Sequence, residues 1–244
     1  MNKKITFPFS ETQIQRYSRH ILLKQIGGLG QKEIMKKSLL VAGSNHTALF
    51  VSYYMAASGV KKLHILSDYP ATPENNISKT TIINQYQWNQ TAHSLSELNP
   101  DTETKFISTD TLKKTHYDII CNFSMNEKHR YWINQIAIEQ GSIQYCLGIR
   151  YPYIYVDIFS PNGKPCVKCL EDSGSDSYRW EKEILIPAFS FIGAIISIDA
   201  VKQILKIGSS SVGSRLFFHS GNGGLEKAKL AGNIGCEVCG SGKK

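Results

Sequence analysis

Two Cys-x-x-Cys pairs in the C-terminal third of the chain point to a metal site. The first pair is Cys166 and Cys169, and the second is Cys236 and Cys239. Paired thiolates at this spacing are typical of tetrahedral structural zinc sites, whereas a single pair is also compatible with a redox motif. Because both pairs have turn-forming neighbours, we predict one shared zinc site. Four thiolates fill the coordination sphere, so the zinc is expected to be structural.

The other two cysteines and the composition indicate one intracellular domain. Cys121 and Cys146 lie in apolar runs, which predicts buried strand residues and suits a reducing compartment. The chain of 244 residues is 41% hydrophobic, which is enough for one substantial core. The first ten residues have no apolar segment of signal-peptide length. A cytoplasmic protein is therefore expected.

The net charge of +8 favours an acidic partner over nucleic acid. The 28 basic residues are spread along the chain, with no basic stretch interleaved with aromatic residues. No binding to nucleic acid is predicted, and attraction of an acidic protein or peptide is the favoured use of the charge.

The apolar run from residue 184 to 207 is the one candidate for a membrane span. It contains Pro187, Asp199 and Lys202, which favour a buried core helix over 187–207 that ends at Gly208. No membrane association is predicted.

Alternating helix and strand patterns predict an α/β fold. Ser10 and Gln13 resemble a capping box that opens a helix ending near Lys24, and the glycines at 27, 28 and 30 are expected to break it. The predicted strands are 39–42, 63–66, near 106, 118–123 and within 145–159, and the predicted helices are 47–58, 88–98, 127–139 and 187–207. Segments 208–214 and 220–224 are expected to be loops.

Helices between strands imply a Rossmann-like, doubly wound and mainly parallel sheet. We expect a single domain over 1–244, in which an N-terminal helical segment (1–38) precedes the Rossmann-like core (39–160). The remainder (161–244) is expected to hold the zinc knuckle and the C-terminal part.

Seven short motifs occur in an order typical of one family. They are RYSRHILL at 16–23, the strand-glycine-helix unit at 39–58, ASGV at 57–60, LNP at 98–100, LGIR at 147–150, NGKPCVKCL at 162–170 and GCEVCG at 235–240. This order resembles the ThiF/MoeB/HesA family, the bacterial relatives of ubiquitin-activating enzymes. The resemblance implies a zinc-containing Rossmann-like fold that usually dimerises. It also implies ATP-dependent adenylation of the C-terminus of a ubiquitin-like sulfur carrier.

The phosphate-binding turn of that family has lost most of its glycines here. The family pattern is Gly-x-Gly-Gly-x-Gly, and residues 43–48 read Gly-Ser-Asn-His-Thr-Ala, so only Gly43 remains. The new side chains place Cβ atoms where backbone must approach phosphate closely. The loop is therefore interpreted as a connection that preserves the fold, with weakened phosphate binding.

The candidates for ribose and phosphate binding after the second strand are Asp68, Asn76 and Lys79. An ungapped match to the family places Ser67 at the ribose position, whereas a one-residue shift places Asp68 there and Lys79 in place of a phosphate-binding arginine. Both alignments stay open, as does the choice of Asn75 or Asn76 for the family asparagine. Lysine is a weaker substitute for a planar, bidentate arginine.

Two other expected charges are missing. Gln87 occupies the position of a phosphate-facing lysine, and Met125 occupies that of the magnesium-binding aspartate. A thioether is a poor ligand for a hard cation. Residues 177–181 contain no cysteine of the kind that carries acyl or persulfide groups in some members.

Arginines match the remaining functional positions of the family. Arg19 corresponds to the arginine that reaches a partner's active site, although Arg16 and Arg19 are equally compatible with surface or dimer-contact charges. Arg130 and Arg150 match two further basic positions.

These losses favour a non-catalytic binding protein with structural zinc and doubtful binding of ATP and magnesium. Its expected partner is an active paralogue in a homo- or heterodimer, a ubiquitin-like carrier or a peptide. The alternative is an adenylyltransferase that uses Arg19, Asp68 and Lys79, with Gly43 and Asn76 at the nucleotide. A purely structural zinc protein is a third, less favoured class.

Overall fold

The computed structural model describes residues 9–67, 85–172, 185–232 and 235–240, with backbone only for 85–89 and 171–172. The strands in these ranges are β1 (Ser38–Ala42), β2 (Lys62–Leu66), β3 (Glu103–Phe106), β4 (Ile119–Asn122), β5 (Ile143–Arg150), β6 (Tyr153–Phe159), β7 (Ser214–His219) and β8 (Leu225–Lys229). The helices there are α1 (Glu11–Ile21), α2 (Gly27–Ile34), α3 (His46–Ser58), α4 (Gln85–Leu98), α5 (Thr109–Lys114), α6 (Glu127–Gln140), α7 (Val167–Asp172) and α8 (Ile186–Leu205).

All eight of these strands belong to one mixed sheet. Their spatial order is β3-β2-β1-β4-β5-β6-β7-β8, in which β3 to β5 run parallel and the last three pairings are antiparallel. The strand order reverses between β1 and β4, so the loops after these two strands diverge from one edge of the sheet. In Rossmann-like sheets, ligands bind at such a switch point. The predicted Rossmann-like α/β fold is confirmed.

Both faces of the central parallel strands β1, β2 and β4 are buried, as their apolar runs require. In β1, Leu39 and Val41 face the core beneath α3 and α8, whereas Leu40 and Ala42 face the core beneath α5 and α6. Successive side chains of a strand point to opposite faces. A continuous apolar run is therefore what a sheet covered on both sides demands.

The N-terminal helix is fixed by the RYSR and LNP motifs together. The predicted capping box is present, since Ser10 Oγ accepts the N–H of Gln13 and the Gln13 side chain accepts the N–H of Ser10. Tyr17 is buried, and its hydroxyl donates to Asp101 Oδ2 at 3.0 Å. Arg16 pairs with the same carboxylate. Arg16 thus has an intramolecular partner.

Three expectations about local structure were wrong or incomplete. The glycines at 27, 28 and 30 do not simply break a helix, because α2 begins at Gly27 and runs through the other two. The long apolar helix spans Ile186–Leu205, one residue earlier at its start than predicted and two earlier at its end. Strands β7 and β8, which lie next to the predicted loops, extend the sheet beyond the parallel core.

Candidate functional site

The four cysteines of the two knuckles converge on one point. Their Sγ atoms all lie within 4.8 Å of one another, with 3.8 Å between Cys166 and Cys236 and 3.2 Å between Cys169 and Cys239. A tetrahedral Zn²⁺ with bonds of about 2.3 Å holds its sulfurs about 3.8 Å apart. All four side chains are buried, and none is in a disulfide. The donor set and its spacing therefore fit zinc.

Backbone geometry shapes both knuckles. The N–H of Gly240 donates to the carbonyl of Cys236 at 2.6 Å, and a Cβ at 240 would lie 2.1 Å from that oxygen. Gly163 has a φ of +69°, and a Cβ there would come within 2.8 Å of Ile138, which packs against the cysteine cluster. The glycines next to the cysteines are therefore part of the site.

The thiols of the metal-free cluster differ in acidity. Burial raises the pKa of Cys166 to about 11. Burial acts in the same direction on Cys236, but the backbone N–H groups of Cys239 and Val238 and the neighbouring thiols outweigh it and bring its pKa to about 7. Because a metal binds thiolates, loading the site releases protons.

The loop after β1 is closed by its own side chains. Gly43 has a φ of +133°, and a Cβ there would lie 2.6 Å from the carbonyl oxygen of Phe123. Fully buried Asn45 accepts the N–H of Ala48 at 3.0 Å and donates to the Phe123 oxygen at 2.9 Å. The N–H groups at a helix start are those that bind phosphate in nucleotide folds. Here Asn45 already occupies one of them.

Two hydroxyl groups add to the closure of this loop. Ser44 Oγ lies 2.9 Å from Ser67 Oγ at the end of β2, and Thr47 Oγ1 donates to the Phe189 carbonyl of α8 at 3.2 Å. The close approach of the loops after β1 and β4 requires glycine at position 43, and this requirement does not depend on a ligand.

The loop after β4 offers no carboxylate. Residues 122–126 read Asn-Phe-Ser-Met-Asn. Asn126 caps α6 by accepting the N–H of His129, and Ser124 donates to the carbonyl of Asn126. Asn122 donates to the carbonyl of Arg130 at 2.9 Å. Met125, at the position expected to bind magnesium, is partly exposed between these polar groups.

Comparison with known proteins identifies the family. Residues 17–238 match the model of the ThiF family. The chain belongs to the ThiF family. The SAMP-activating enzyme E1 of Haloferax volcanii is 24% identical over 98% of this chain and 93% of its own length. The molybdopterin-synthase adenylyltransferase of Escherichia coli is 22% identical, over 95% of this chain and 98% of its own.

Solved structures share the fold of this ThiF-family chain. E. coli MccB in its complex with ATP superimposes with a TM-score of 0.71 at 18% identity, over 92% of this chain and 74% of that one. At this identity the likeness concerns the fold alone.

Of the other predicted residues of the ThiF-family site, some lie outside the described residues and the rest lie on α1, α6 and β5. Asp68, Asn76 and Lys79 lie outside the described residues, as does the side chain of Gln87. Arg19 is exposed on α1 and makes no hydrogen bond or ion pair in the described part of the chain. Arg150, at the end of β5, is exposed, whereas Arg130 is buried and donates to the carbonyl of Ser124 at 3.3 Å.

A groove between α1, α3 and α8 was not predicted. Its volume is about 690 Å³, and its walls include Leu23, Tyr53 and Ile198, with Arg19 and Lys202 among its lining residues. Tyr53 is 48% exposed and Ile198 is 60% exposed. Sequence analysis missed the groove because α8 is apolar around most of its circumference, so its outer face could not be told from its buried one.

The apolar composition of α8 also bears on the membrane question. Within the described residues, α8 is the one helix long and apolar enough to cross a membrane, and 44% of its most apolar window is buried inside the protein. It packs against α3 and against β6, as the predicted core helix would.

Proposed function

We propose that this ThiF-family chain acts as a binding component in the activation of a ubiquitin-like carrier or a peptide and forms no acyl-adenylate itself. The observation that carries this proposal is the pair of hydrogen bonds made by Asn45. One bond caps the start of α3, and the other ties the loop after β1 to the loop after β4. A phosphate group entering here must displace a buried side chain that makes hydrogen bonds through both its nitrogen and its oxygen, which costs free energy.

The lack of a hard metal ligand supports the same proposal. Adenylation places negative charge on phosphate oxygens, and magnesium normally neutralises that charge. Residues 122–126 provide a thioether and amides where a carboxylate is needed. Without both the metal and the open turn, the described residues of the loops after β1 and β4 offer little to stabilise the transition state.

The apolar groove supports a role in assembly. Large exposed apolar surface marks sites of protein interaction, and tyrosine is enriched in interfaces. We infer that a second copy or a family paralogue covers Tyr53 and Ile198, with Arg19 and Lys202 among the lining residues. Zinc, bound by the four cysteines, would fix the C-terminal segment to the start of α7. Six free cysteines suit a reducing compartment such as the cytoplasm.

An adenylyltransferase is the second candidate. Two relatives with this activity or an activating-enzyme name match the chain almost from end to end. In that case the carboxylate of the partner attacks the α-phosphorus of ATP and pyrophosphate leaves. The cationic and ribose-binding groups would be Lys79 and Asp68, with Arg19 supplied across a dimer.

Thermal unfolding in the presence of nucleotide separates the two candidates. The zinc-loaded chain is heated with and without millimolar ATP and magnesium, with the E. coli molybdopterin-synthase adenylyltransferase as the positive control. Ligand at about 100 times its Kd stabilises a protein by about 2.7 kcal/mol. We expect no rise in Tm for this chain, and a rise similar to that of the control would support the enzyme.

A further inference from the structure

The antiparallel half of the sheet carries an aromatic and basic platform on the face away from α8. Residues directly opposite each other in antiparallel strands share a face, and two such rows run across β5, β6 and β7. One row contains Arg150 and Tyr153, and the next contains Gly148, Tyr155 and Phe217. Together with Tyr151 and Arg215, the larger of these side chains line a pocket of about 320 Å³.

The floor of this platform is rigid. Tyr155 is buried, and its ring lies over Gly148, where a Cβ would come within 2.2 Å of the ring. The guanidinium of Arg215 stacks 4.1 Å from the centre of the Tyr155 ring. Fully buried Asp157 holds Arg215 through two hydrogen bonds of 2.7 and 2.8 Å. Arg215 is therefore positioned, and its charge is balanced.

Arg150 carries the charge that the platform leaves unbalanced. It is exposed and makes no hydrogen bond or ion pair in the described part of the chain. Beside it stand Tyr153, which is 36% exposed, and Tyr151, which is 61% exposed. Glu226 of β8 faces the same side next to Phe217, at the far end of the second row. The basic end of the platform is thus the Arg150 end.

The position of Arg150 links the platform to the edge described above. Cys146 of β5 pairs with Asn122 at the end of β4. Arg150 lies four residues beyond Cys146, about 13 Å further along at the rise of a strand. The platform therefore projects past the edge at which strands β1 and β4 end and their loops begin.

We propose that this platform, defined by Arg150, Tyr151, Tyr153, Tyr155 and Phe217, binds an extended segment of the partner that carries an acidic side chain. The carboxylate pairs with Arg150, whose planar fork suits bidentate recognition. An apolar or aromatic neighbour in the segment packs on the exposed tyrosine rings. The net charge of +8 attracts such a segment from solution. This inference rests on the proposed function, because it names the chemistry of the partner.

Peptide titration followed by NMR tests the platform. The probe is acetyl-Glu-Tyr-Glu-Leu-amide, and its isostere has Gln in place of both Glu residues. The zinc-loaded, ¹⁵N-labelled chain is titrated with each peptide. We expect the acidic peptide to shift the amide resonances of β5, β6 and β7 and to bind about tenfold more tightly than its isostere, the factor typical of a charge-assisted hydrogen bond.

Two variants make the test specific. Arg150→Gln should abolish the difference in affinity between the two peptides, because the interaction between Arg150 and the carboxylate is then removed. Lys61→Gln makes the same charge change at an exposed residue just before β2, at the opposite edge of the parallel strands. We expect it to leave the difference intact within about twofold.

Three results would overturn the proposal. The first is that the Arg150→Gln variant still binds the acidic peptide more tightly than its isostere. The second is that Lys61→Gln weakens binding of the acidic peptide as much as Arg150→Gln does, which indicates unspecific attraction. The third is that the Gln peptide with a free carboxylate end binds while the acidic amide does not. Failure of the proposed function is a separate result, because nucleotide binding is measured on the same sample without peptide.

Discussion

The side-chain amide of Asn45 donates to the carbonyl oxygen of Phe123 at 2.9 Å, across the gap between the ends of β1 and β4. Nucleotides bind at this switch point in Rossmann-like folds. The same loops approach so closely at Gly43 that no Cβ fits beside the Phe123 carbonyl. The family resemblance places Asn45 in a phosphate-binding turn, but here its side chain holds the loops after β1 and β4 together.

Replacing Asn45 tests whether its side chain holds the loops after β1 and β4 together. Asn45→Gly leaves the N–H of Ala48 and the carbonyl of Phe123 without their partner, which should lower the free energy of unfolding by about 1–3 kcal/mol. The matched control is Asn126→Gly, which removes an exposed cap whose side chain accepts the His129 N–H. It should cost roughly a few tenths of a kcal/mol. Urea titrations measure both, and equal losses would mean that Asn45 is only an ordinary cap.

The zinc site is tested by removing one ligand. Cys169→Ser should lower the zinc content to below one ion per chain and the free energy of unfolding by about 4 kcal/mol or more, as is typical when a structural metal is lost. Cys146→Ser changes a buried cysteine outside the cluster and should keep the metal. Metal analysis and thermal unfolding measure the two effects. An unchanged zinc content in Cys169→Ser would contradict a four-cysteine site.

A buried histidine gives a pH dependence of stability. Burial lowers the pKa of His64, whose Nδ1 lies 2.8 Å from the hydroxyl of Tyr117. Below about pH 6.5, the ordinary pKa of histidine, the His64 side chain binds a proton in the unfolded chain but stays neutral in the folded chain. Stability should therefore fall as the pH drops through 6.5 towards the lowered folded pKa.

The His64→Asn variant isolates this contribution. Its free energy of unfolding should change less between pH 7 and pH 5 than that of the wild-type chain. The comparison variant is His93→Asn, which removes an exposed histidine whose side chain is 74% accessible. If the free energy of unfolding falls equally between pH 7 and pH 5 in all three proteins, His64 is not the source of the acid sensitivity.

The groove between α1, α3 and α8 makes a prediction about assembly. Ile198→Glu places a charge on its apolar wall and should weaken association by roughly tenfold or more, because an unpaired buried charge is costly. Leu225→Glu is the matched control on β8, where Leu225 is 46% exposed. Analytical ultracentrifugation, with the chain alone and with a family paralogue, measures the association. If Ile198→Glu associates as the wild type does, the groove is not the interface.

Much of the parallel core could be predicted from the sequence because its signals are local. The apolar run at β1, Gly43 and the apolar stretch after it indicate strand, turn and helix within a few residues. The zinc site was also predictable, since Cys-x-x-Cys spacing fixes the ligand geometry within each knuckle. In the parallel core and within each knuckle the deciding neighbours are close in the chain, although the two knuckles themselves lie 70 residues apart.

The remaining features depend on contacts between distant residues. Asn45 and Phe123 are 78 residues apart, so no pattern in the loop revealed their hydrogen bond. Strand β7 contains the short apolar run from Leu216 to Phe218, but Gly- and Ser-rich flanks hid it. Helix α2 forms through three glycines because it packs against α8, an effect that helix propensity does not contain. Tertiary packing decided these cases.

Calorimetric titration of the zinc-loaded chain with ATP and magnesium tests the central claim most directly. The closed loop after β1 and the missing carboxylate after β4 predict no binding heat at millimolar nucleotide. The zinc content of the sample verifies that the chain is folded. One-to-one binding with a micromolar Kd would contradict the claim and establish a nucleotide site, with Asp68 and Lys79 as the first residues to replace.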